Sequence, residues 1–226
     1  MLHLSKQTLV NSLIARRGYS SLLEVSTAHS GFVFDALRAP HKERARCTDD
    51  LWGDEADDAP SHIAAPASEV WRRLARENRK YDLIFLDGVH TRRQSSEDLR
   101  EGLERLTPRG CLVVHDCNPP SEAYTGDVPG QGLWCGEVYR AFCELRAERG
   151  HELAACVVDT DYGCGIVERT PGDAGAAEQL RPPVDFEDFA ARRTELLNLI
   201  SPAEFFSRYV GFSPAALWRL LRSEVW

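Results

Sequence analysis

One Asp-Gly-Val-His motif and one His-Asp motif carry the side chains best suited to chemistry. Their carboxylates, Asp87 and Asp116, accept hydrogen bonds and can offset positive charge. Their imidazoles, His90 and His115, titrate near pH ~6.5 when unperturbed and can take a proton from a substrate. Polar groups of this kind are costly to bury for structure alone, so the two motifs predict a reactive site.

Apolar segments directly before these motifs predict the strands that position them. Tyr81–Asp87 and Cys111–His115 are nearly continuous apolar runs, as expected for strands buried on both faces of a parallel sheet. Tyr19–Val25 predicts a further strand. Ligands of an open parallel sheet bind beyond the carboxyl ends of its strands. The three strand ends therefore offer one crevice a set of polar side chains: Glu24, Asp87, His90, His115, Asp116 and Asn118.

Each motif residue also has a purely structural interpretation. Asp87 and Asp116 can cap the turns that follow their strands, and His90 and His115 can be structural histidines with satisfied hydrogen bonds. Chain order places all of them at the same sheet edge, which favours the functional interpretation.

The rest of the chain predicts an α/β fold. Strands alternate with segments of helical spacing, which indicates a mainly parallel sheet with right-handed crossovers. A hairpin formed by residues 153–159 and 163–169 is expected to add an antiparallel edge. Residues 43–47 give only a weak strand prediction. Helical spacing recurs in residues 6–17, 68–79, 95–106 and 137–149.

The last part of the chain predicts a separate helical unit. Helices are expected at 186–200, 202–210 and 214–225. They suggest a helical C-terminal extension, 171–226, after a first domain, 1–170. Its apolar and aromatic content favours packing on its own domain, a homodimer contact or a lid over the substrate site.

Bulk composition narrows the partners. The 226 residues carry a formal net charge of −8, which argues against a nucleic-acid partner. No apolar run approaches the ~20 residues that a membrane span needs, and the N-terminus lacks the pattern of a signal peptide. We therefore expect a cytoplasmic protein without a membrane partner. Its seven cysteines form no CxxC pair and predict neither a disulfide framework nor a zinc site.

The two motifs and the last hairpin resemble the class I S-adenosylmethionine (SAM)-dependent methyltransferases. The resemblance covers roughly residues 19–169 and is strongest to the small-molecule enzymes with D-G-x-H followed by H-D. The turn with Asp161, Gly163 and Gly165 supports it. The resemblance implies a Rossmann-like, doubly wound sheet with an antiparallel C-terminal hairpin, and SAM across the first strand ends.

The resemblance also implies roles for individual residues. Glu24 faces the methionine end of SAM, and Asp87 with Gly88 meets cofactor and substrate. His90 lies where a general base could take a proton from a substrate hydroxyl. His115 suits the same role, and Asp116 completes the predicted catalytic set. Some relatives bind Mg²⁺ with acids at the positions of Asp87 and Asp116, and such hard oxygen ligands suit this ion. The cofactor-binding set predicted in this way is Glu24, Ser26, Thr27, Gly31, Asp49, Asp87 and Gly88.

The first loop departs from the family pattern E-x-G-x-x-x-G. Ser26 replaces the first glycine, and Gly31 is the only glycine of the loop. The hydroxyl of Ser26 can contact the methionine carboxylate. In the family, the second strand normally ends in an acid that binds the ribose hydroxyls. No clear strand end of this kind is visible here, and Glu43, Asp49 and Asp50 are the candidates for that acid.

These features predict methyl transfer from SAM to a small molecule, with a hydroxyl as the preferred acceptor. Transfer to nitrogen or carbon remains open at this stage. Two other possibilities follow from the altered loop: a protein that binds a ligand without methylating it, and a metal-dependent enzyme of different chemistry on the same fold.

Overall fold

A single eight-stranded sheet forms the centre of the computed structural model, which describes residues 4–27, 33–49, 61–129, 132–170 and 180–211. The strand order is β3-β2-β1-β4-β5-β7-β6-β8. The pairs among β1 to β5 are parallel, whereas β7 is antiparallel to both β5 and β6. The predicted doubly wound α/β fold with an antiparallel C-terminal hairpin is confirmed.

The strands and helices alternate along most of the chain. The strands are β1 (Ser21–Ser26), β2 (His41–Cys47), β3 (Ile63–Ala65), β4 (Tyr81–Asp87), β5 (Leu106–Val114), β6 (Leu153–Val158), β7 (Cys164–Arg169) and β8 (Leu199–Ile200). The helices are α1 (Lys6–Arg17), α2 (Ala67–Arg76), α3 (Arg92–Glu104), α4 (Val138–Arg149), α5 (Phe186–Leu197) and α6 (Pro202–Phe205), which continues as a π-helical turn (Phe206–Val210). None of the described helices is long and apolar enough to cross a membrane.

Apolar side chains on the two faces of the sheet form two cores. One face packs against α2, α3, α4 and α5, with Trp71 and Phe142 among its fully buried side chains. The other face packs against α1 and α6, with Leu9 and Phe205 buried. The nearly continuous apolar runs of β4 and β5 follow from this arrangement, since both faces of each strand are covered.

Local capping signals explain where α1 begins and ends. The side chain of Ser5 accepts a hydrogen bond from the backbone N–H of Thr8, and Gly18 closes the helix in the left-handed conformation. The predicted helix over residues 6–17 is confirmed.

The predicted bounds of α3 are shifted toward the N-terminus. Thr91 caps the helix by accepting from the backbone N–H of Gln94, so α3 begins at Arg92 rather than at residue 95. It ends before Leu106, because Leu106 pairs with Tyr81 as the first residue of β5. A strand partner brought by the tertiary fold thus overrides the helical spacing at that end.

The C-terminal edge of the sheet differs from the prediction. Asn198 adopts a left-handed conformation that ends α5, and Leu199–Ile200 then pair in parallel with β6. The edge strand is therefore β8, and the predicted antiparallel edge formed by the hairpin is wrong. Residues 180–211 thus contact the sheet, while the boundary at residue 170 and the homodimer or lid role stay predictions. The expected helix at 214–225 lies outside the described residues.

Two further strands extend the sheet beyond β1. The weak strand prediction at residues 43–47 corresponds to β2, which begins at His41. β3 was not predicted, because only three residues form it and their apolar character gives no periodic signal. The seven cysteines are all buried as free thiols.

Candidate active site

Three adjacent parallel strands end together at one edge of the sheet. Ser26 of β1 lies opposite Asp87 of β4, and His115, directly after β5, donates its backbone N–H to the carbonyl of Leu86 at 2.9 Å. Side chains alternate between the two faces of a sheet, so Glu24, Ser26 and Asp87 share one face. This is the edge at which the sequence predicts a site.

The four side chains of the two motifs lie against one another. We call them the strand-end cluster: Asp87, His90, His115 and Asp116. Nδ1 of His115 is 3.3 Å from Oδ1 of Asp87 and 3.3 Å from Oδ2 of Asp116. Nε2 of His90 is 3.5 Å from Oδ1 of Asp87, and its Nδ1 is 3.5 Å from Oδ2 of Asp116. His90 is the most exposed member, with 14% of its side chain accessible.

Two further charged residues contact the cluster, and the sequence analysis did not place either of them in the site. Nζ of Lys6, on the first turn of α1, is 2.9 Å from Oδ2 of Asp87. Oδ1 of Asp161, in the turn between β6 and β7, is 3.7 Å from Nε2 of His115. Asp161 belongs to the D-x-G-x-G turn, so a motif was available for it, whereas Lys6 gave no signal.

The charges of the cluster stabilise one another despite burial. Burial alone raises the pKa of Asp87, but the charge of His115, the hydrogen bonds from both imidazoles and Lys6 hold that pKa well below its usual range. Burial alone lowers the pKa of His115, yet the carboxylates of Asp116 and Asp87 raise it well above its usual value. The pKa of His90 is raised in the same way, against burial, by Asp87 and Asp116.

The surroundings of His90 decide which ring nitrogen can act as a base. Its Nδ1 is 3.2 Å from the backbone carbonyl of Trp134. A carbonyl oxygen only accepts, so the neutral imidazole carries its proton on Nδ1 and leaves the lone pair on Nε2. Nε2 faces Oδ1 of Asp87, a carboxylate that stabilises the imidazolium formed when Nε2 takes a proton.

A close backbone approach holds His90 in place. Gly136 adopts φ +62, and its backbone allows the carbonyl oxygen of His90 to come so near that an added Cβ would lie 2.2 Å away. The adjacent Glu137 donates its backbone N–H to the same carbonyl at 2.8 Å. Only glycine combines this φ with this approach.

A second polar group, Glu24 with Arg44 and Ser26, is buried beside the cluster. Oε1 of Glu24 is 3.8 Å from Nε of Arg44 on the adjacent strand, and that nitrogen donates to Oγ of Ser26 at 3.1 Å. Among the described residues, neither carboxylate oxygen of Glu24 has a hydrogen-bond donor. Burial raises the pKa of Glu24 to about 7, although Arg44 lowers it. The sequence analysis missed Arg44 because β2 gave only a weak signal.

The other predicted cofactor residues have separate surroundings. Thr27 is buried directly after β1. Asp49 follows β2, is exposed, and accepts a hydrogen bond at its Oδ1 from the backbone N–H of Ala67 at 3.0 Å. Asp49 therefore lies at the strand end where a ribose-binding acid is expected, with one oxygen already engaged by α2. Gly31 lies outside the described residues.

Asp98 is a buried acid on α3 that the sequence analysis also missed. It accepts hydrogen bonds from Nε1 of Trp71 at 2.7 Å and from Nε2 of Gln94 at 2.8 Å. Its Oδ2 lies 3.3 Å from where a Cβ on Gly88 would sit, so Gly88 lets the strand end approach α3. Asp98 and Leu99 both lie on the buried face of the helix. An acid on the apolar face of a predicted helix was the sequence signal that could have identified Asp98.

Asp98 is expected to make stability depend on pH. Burial raises its pKa to about 7, whereas an unfolded aspartate titrates near ~3.9. Between these values the folded state holds a proton that the unfolded state releases, so stability falls as pH rises from about 4 to 7. The free energy of unfolding of Asp98→Asn, relative to that of wild type, should therefore increase by on the order of 3 kcal/mol between pH ~5 and pH ~8. Denaturant unfolding at both pH values measures this. An equal difference at both pH values, or the same gain in Glu97→Gln, contradicts the assignment.

One cavity adjoins the strand-end cluster, and a second one is lined by Asp161, which contacts the cluster. A small one, of about 20 Å³, is lined by Asp87, His90, Asp98 and His115 among others, and has room for about one water-sized oxygen. A larger one, of about 310 Å³, lies between the segment after β5, the β6–β7 turn and α5. Asp161 lines the larger cavity, and its Oδ1 lies 3.7 Å from Nε2 of His115.

Comparison with known proteins agrees with this architecture. Residues 8–117 match the family model described as a methyltransferase domain, and no curated protein matches the chain in sequence. Among solved structures, the SAM complex of the O-methyltransferase TomG from Streptomyces achromogenes, involved in tomaymycin synthesis, has 16% identity and a TM-score of 0.51, covering 75% of this chain and 82% of that chain.

Two further structures have the same fold. Cofactor-bound Rv0187 from MTB has 13% identity and a TM-score of 0.51, covering 76% of this chain and 83% of that chain. The SAH-bound methyltransferase PaMTH1 from Podospora anserina has 13% identity and a TM-score of 0.50, covering 74% of this chain and 78% of that chain. In its matching domain, its sheet order and its strand-end motifs, the chain is similar to the class I SAM-dependent methyltransferases.

Proposed function

We propose that this protein transfers the methyl group of SAM to a hydroxyl of a small molecule, with His90 as the general base. The observation that carries the proposal is the strand-end cluster, in which two carboxylates surround two imidazoles at the edge where three parallel strands end. A hydroxyl acceptor must lose a proton, and a carboxylate-supported imidazole is suited to take it.

The buried group at the end of β1 fits the amino-acid part of SAM. Glu24 provides carboxylate oxygens without a hydrogen-bond donor among the described residues, which can accept from the ammonium of the methionine moiety. Arg44 and Ser26, which contact each other at 3.1 Å, are placed to hold its carboxylate. When bound, SAM supplies an electrophilic methyl group. Holding this group close to the acceptor is the main contribution the protein can make.

Proton removal follows from the geometry of His90. Nε2 takes the proton of the acceptor hydroxyl, and the oxygen becomes the stronger nucleophile. The imidazolium formed is stabilised by the carboxylates of Asp87 and Asp116, which is the arrangement that makes a histidine effective as a base. His115 holds Asp87 and Asp116 in place by contacting both.

The larger cavity is the proposed acceptor site. Its volume of about 310 Å³ is at the lower end of the range usual for small-molecule pockets. Asn118 after β5 and Arg193 of α5 line it, and Nη1 of Arg193 donates to Oδ1 of Asn118 at 2.6 Å. The loop after β5 and a C-terminal helix thus shape the pocket together. Its polar lining suits an acceptor with several hydroxyl groups.

A Mg²⁺ site was expected on Asp87 and Asp116, and distance alone permits one. Single ligand atoms of Asp87, His90 and Asp116 lie within 4.8 Å of one another. The surrounding charges do not fit, because Lys6 contacts Asp87 and the imidazole of His115 contacts both carboxylates. The proposed mechanism therefore contains no metal-dependent step.

Glu24→Gln is expected to weaken binding of S-adenosylhomocysteine by about 10- to 100-fold. The reason is the loss of a charge-assisted hydrogen bond worth ~1.5–3 kcal/mol in a buried site. Calorimetric titration of the purified variant measures the affinity. Glu168→Gln, on β7 and away from the site, is the matched control and should bind as wild type does. Unchanged affinity in a folded Glu24→Gln variant contradicts the placement of the methionine end.

Calorimetry with S-adenosylhomocysteine, followed by transfer from methyl-labelled SAM, tests the proposed function. Hydroxylated and amine acceptors of similar size are compared, and the product bond is identified by mass spectrometry. Methyl ethers support the proposal, whereas exclusive N- or C-methylation contradicts it.

A ligand-binding protein that does not methylate is the second candidate. It is favoured by the contact between Glu24 and Arg44, since a cation already lies 3.8 Å from the expected ammonium-binding carboxylate. Absence of S-adenosylhomocysteine binding in the same titration, combined with binding of a hydroxylated compound, would select this alternative.

A further inference from the structure

We propose that the ammonium of Lys6 permanently occupies the cation position at Asp87 and makes the strand-end cluster independent of divalent metal. The proposal concerns the same site as the proposed methyl transfer, and it treats Lys6 as a positioning residue for the cluster. It rests on where Lys6 is held and on what its ammonium contacts.

The ammonium lies where a metal ion would need access. Nζ of Lys6 is 2.9 Å from Oδ2 of Asp87, and the Asp87 side chain is only 3% exposed. Mg²⁺ needs its oxygen ligands at ~2.1 Å in octahedral geometry. An ion bound to that oxygen would lie close to a like charge in a buried site, where the repulsion is poorly screened.

The backbone of Lys6 is fixed on the opposite side of the cluster. The backbone N–H of Lys6 donates to Oδ2 of Asp161 at 2.9 Å, and the hydroxyl of Thr160 donates to the carbonyl of Leu4. The first turn of α1 is therefore attached to the β6–β7 turn. The side chain of Lys6 begins at a held position and reaches Asp87 from it.

Each oxygen of Asp87 has its own basic neighbours. Oδ2 contacts Lys6, while Oδ1 faces Nδ1 of His115 at 3.3 Å and Nε2 of His90 at 3.5 Å. The ammonium thus engages one oxygen and leaves the other to the imidazoles. Counted with Asp161, the site has three carboxylates, and Lys6 with the two histidines provides three basic groups to offset them.

Divalent-ion binding by the full-length protein tests this role without any need for the acceptor. Mn²⁺ binding is measured by electron paramagnetic resonance and calorimetry for wild type, Lys6→Met, Lys6→Gln and Lys6→Arg. Lys80→Met, which removes an exposed lysine far from the cluster, is the matched control. We expect at least about tenfold tighter Mn²⁺ binding in Lys6→Met and Lys6→Gln, and none of this gain in Lys6→Arg or Lys80→Met.

Two results would overturn the proposal. One is wild-type binding of Mn²⁺ at the cluster as tight as that of the neutral variants. The other is that neither Lys6→Met nor Lys6→Gln binds Mn²⁺ more tightly than wild type, although thermal unfolding shows that at least one of the two variants is folded. Because the readout is metal binding, the proposal can fail while the proposed methyl transfer stands, and the reverse also holds.

Discussion

His90→Ala is expected to lower the turnover number for methyl transfer by about 10²–10⁴-fold, the usual contribution of a general base. The variant loses the imidazole whose Nδ1 contacts the carbonyl of Trp134 at 3.2 Å, a contact that leaves the lone pair on Nε2. The affinity for S-adenosylhomocysteine should stay near wild type, because we propose that Glu24 and Arg44, rather than His90, hold the methionine end. Steady-state kinetics and calorimetry measure the two quantities separately.

The pH dependence adds a second readout for His90. A base acts in its neutral form, and the nearby carboxylates raise the pKa of His90. The turnover number should therefore rise with pH, with its midpoint above the ordinary imidazole value of ~6.5, and this limb should be absent in His90→Ala. His151→Ala removes an exposed histidine and serves as control. Full turnover in a folded His90→Ala variant would exclude His90 as the base.

Gly136→Ala is expected to destabilise the fold by at least about 3 kcal/mol and to abolish turnover. A left-handed alanine is strained, and its Cβ would also meet the carbonyl oxygen of His90 at 2.2 Å, which adds an overpacking cost of ~1–3 kcal/mol. The backbone that presents His90 must shift to relieve the clash. Denaturant unfolding measures the first effect and kinetics the second.

Gly18→Ala is a matched control for this substitution. Gly18 has φ +65, close to the +62 of Gly136, but none of the described residues brings an atom within 4 Å of its added Cβ. Gly18→Ala should therefore lower the free energy of unfolding only by the backbone strain, about 1 kcal/mol, and leave turnover intact. Equal destabilisation by the two substitutions would show that the contact with His90 contributes nothing.

Local sequence patterns predicted the strands that carry the site. The apolar run Tyr81–Asp87 corresponds to β4 over the same residues, because a strand covered on both faces must be apolar throughout. Ser5 and Gly18 delimit α1 through backbone hydrogen bonds that depend only on neighbouring residues. Chain order then placed Asp87 and His115 at adjacent strand ends, since parallel strands end at the same edge.

Contacts between distant segments were not predictable in this way. Lys6 reaches Asp87 only because α1 packs on one face of the sheet, and Arg44 reaches Glu24 only through the pairing of β1 with β2. A lysine at the start of an amphipathic helix looks like any solvated surface residue in the sequence. Its partner is fixed by the packing of the whole helix.

The edge of the sheet illustrates the same limit. The hairpin of β6 and β7 was predicted from its turn, but β8, only two residues long, is a strand because β6 offers it unpaired backbone groups. By itself, the sequence determined the α/β class, the main strands and the residues at their ends, because periodicity, capping and chain order are local properties. Only the tertiary structure decided the charge partners of those residues and the last strand, because these depend on segments that packing and pairing bring together from distant parts of the chain.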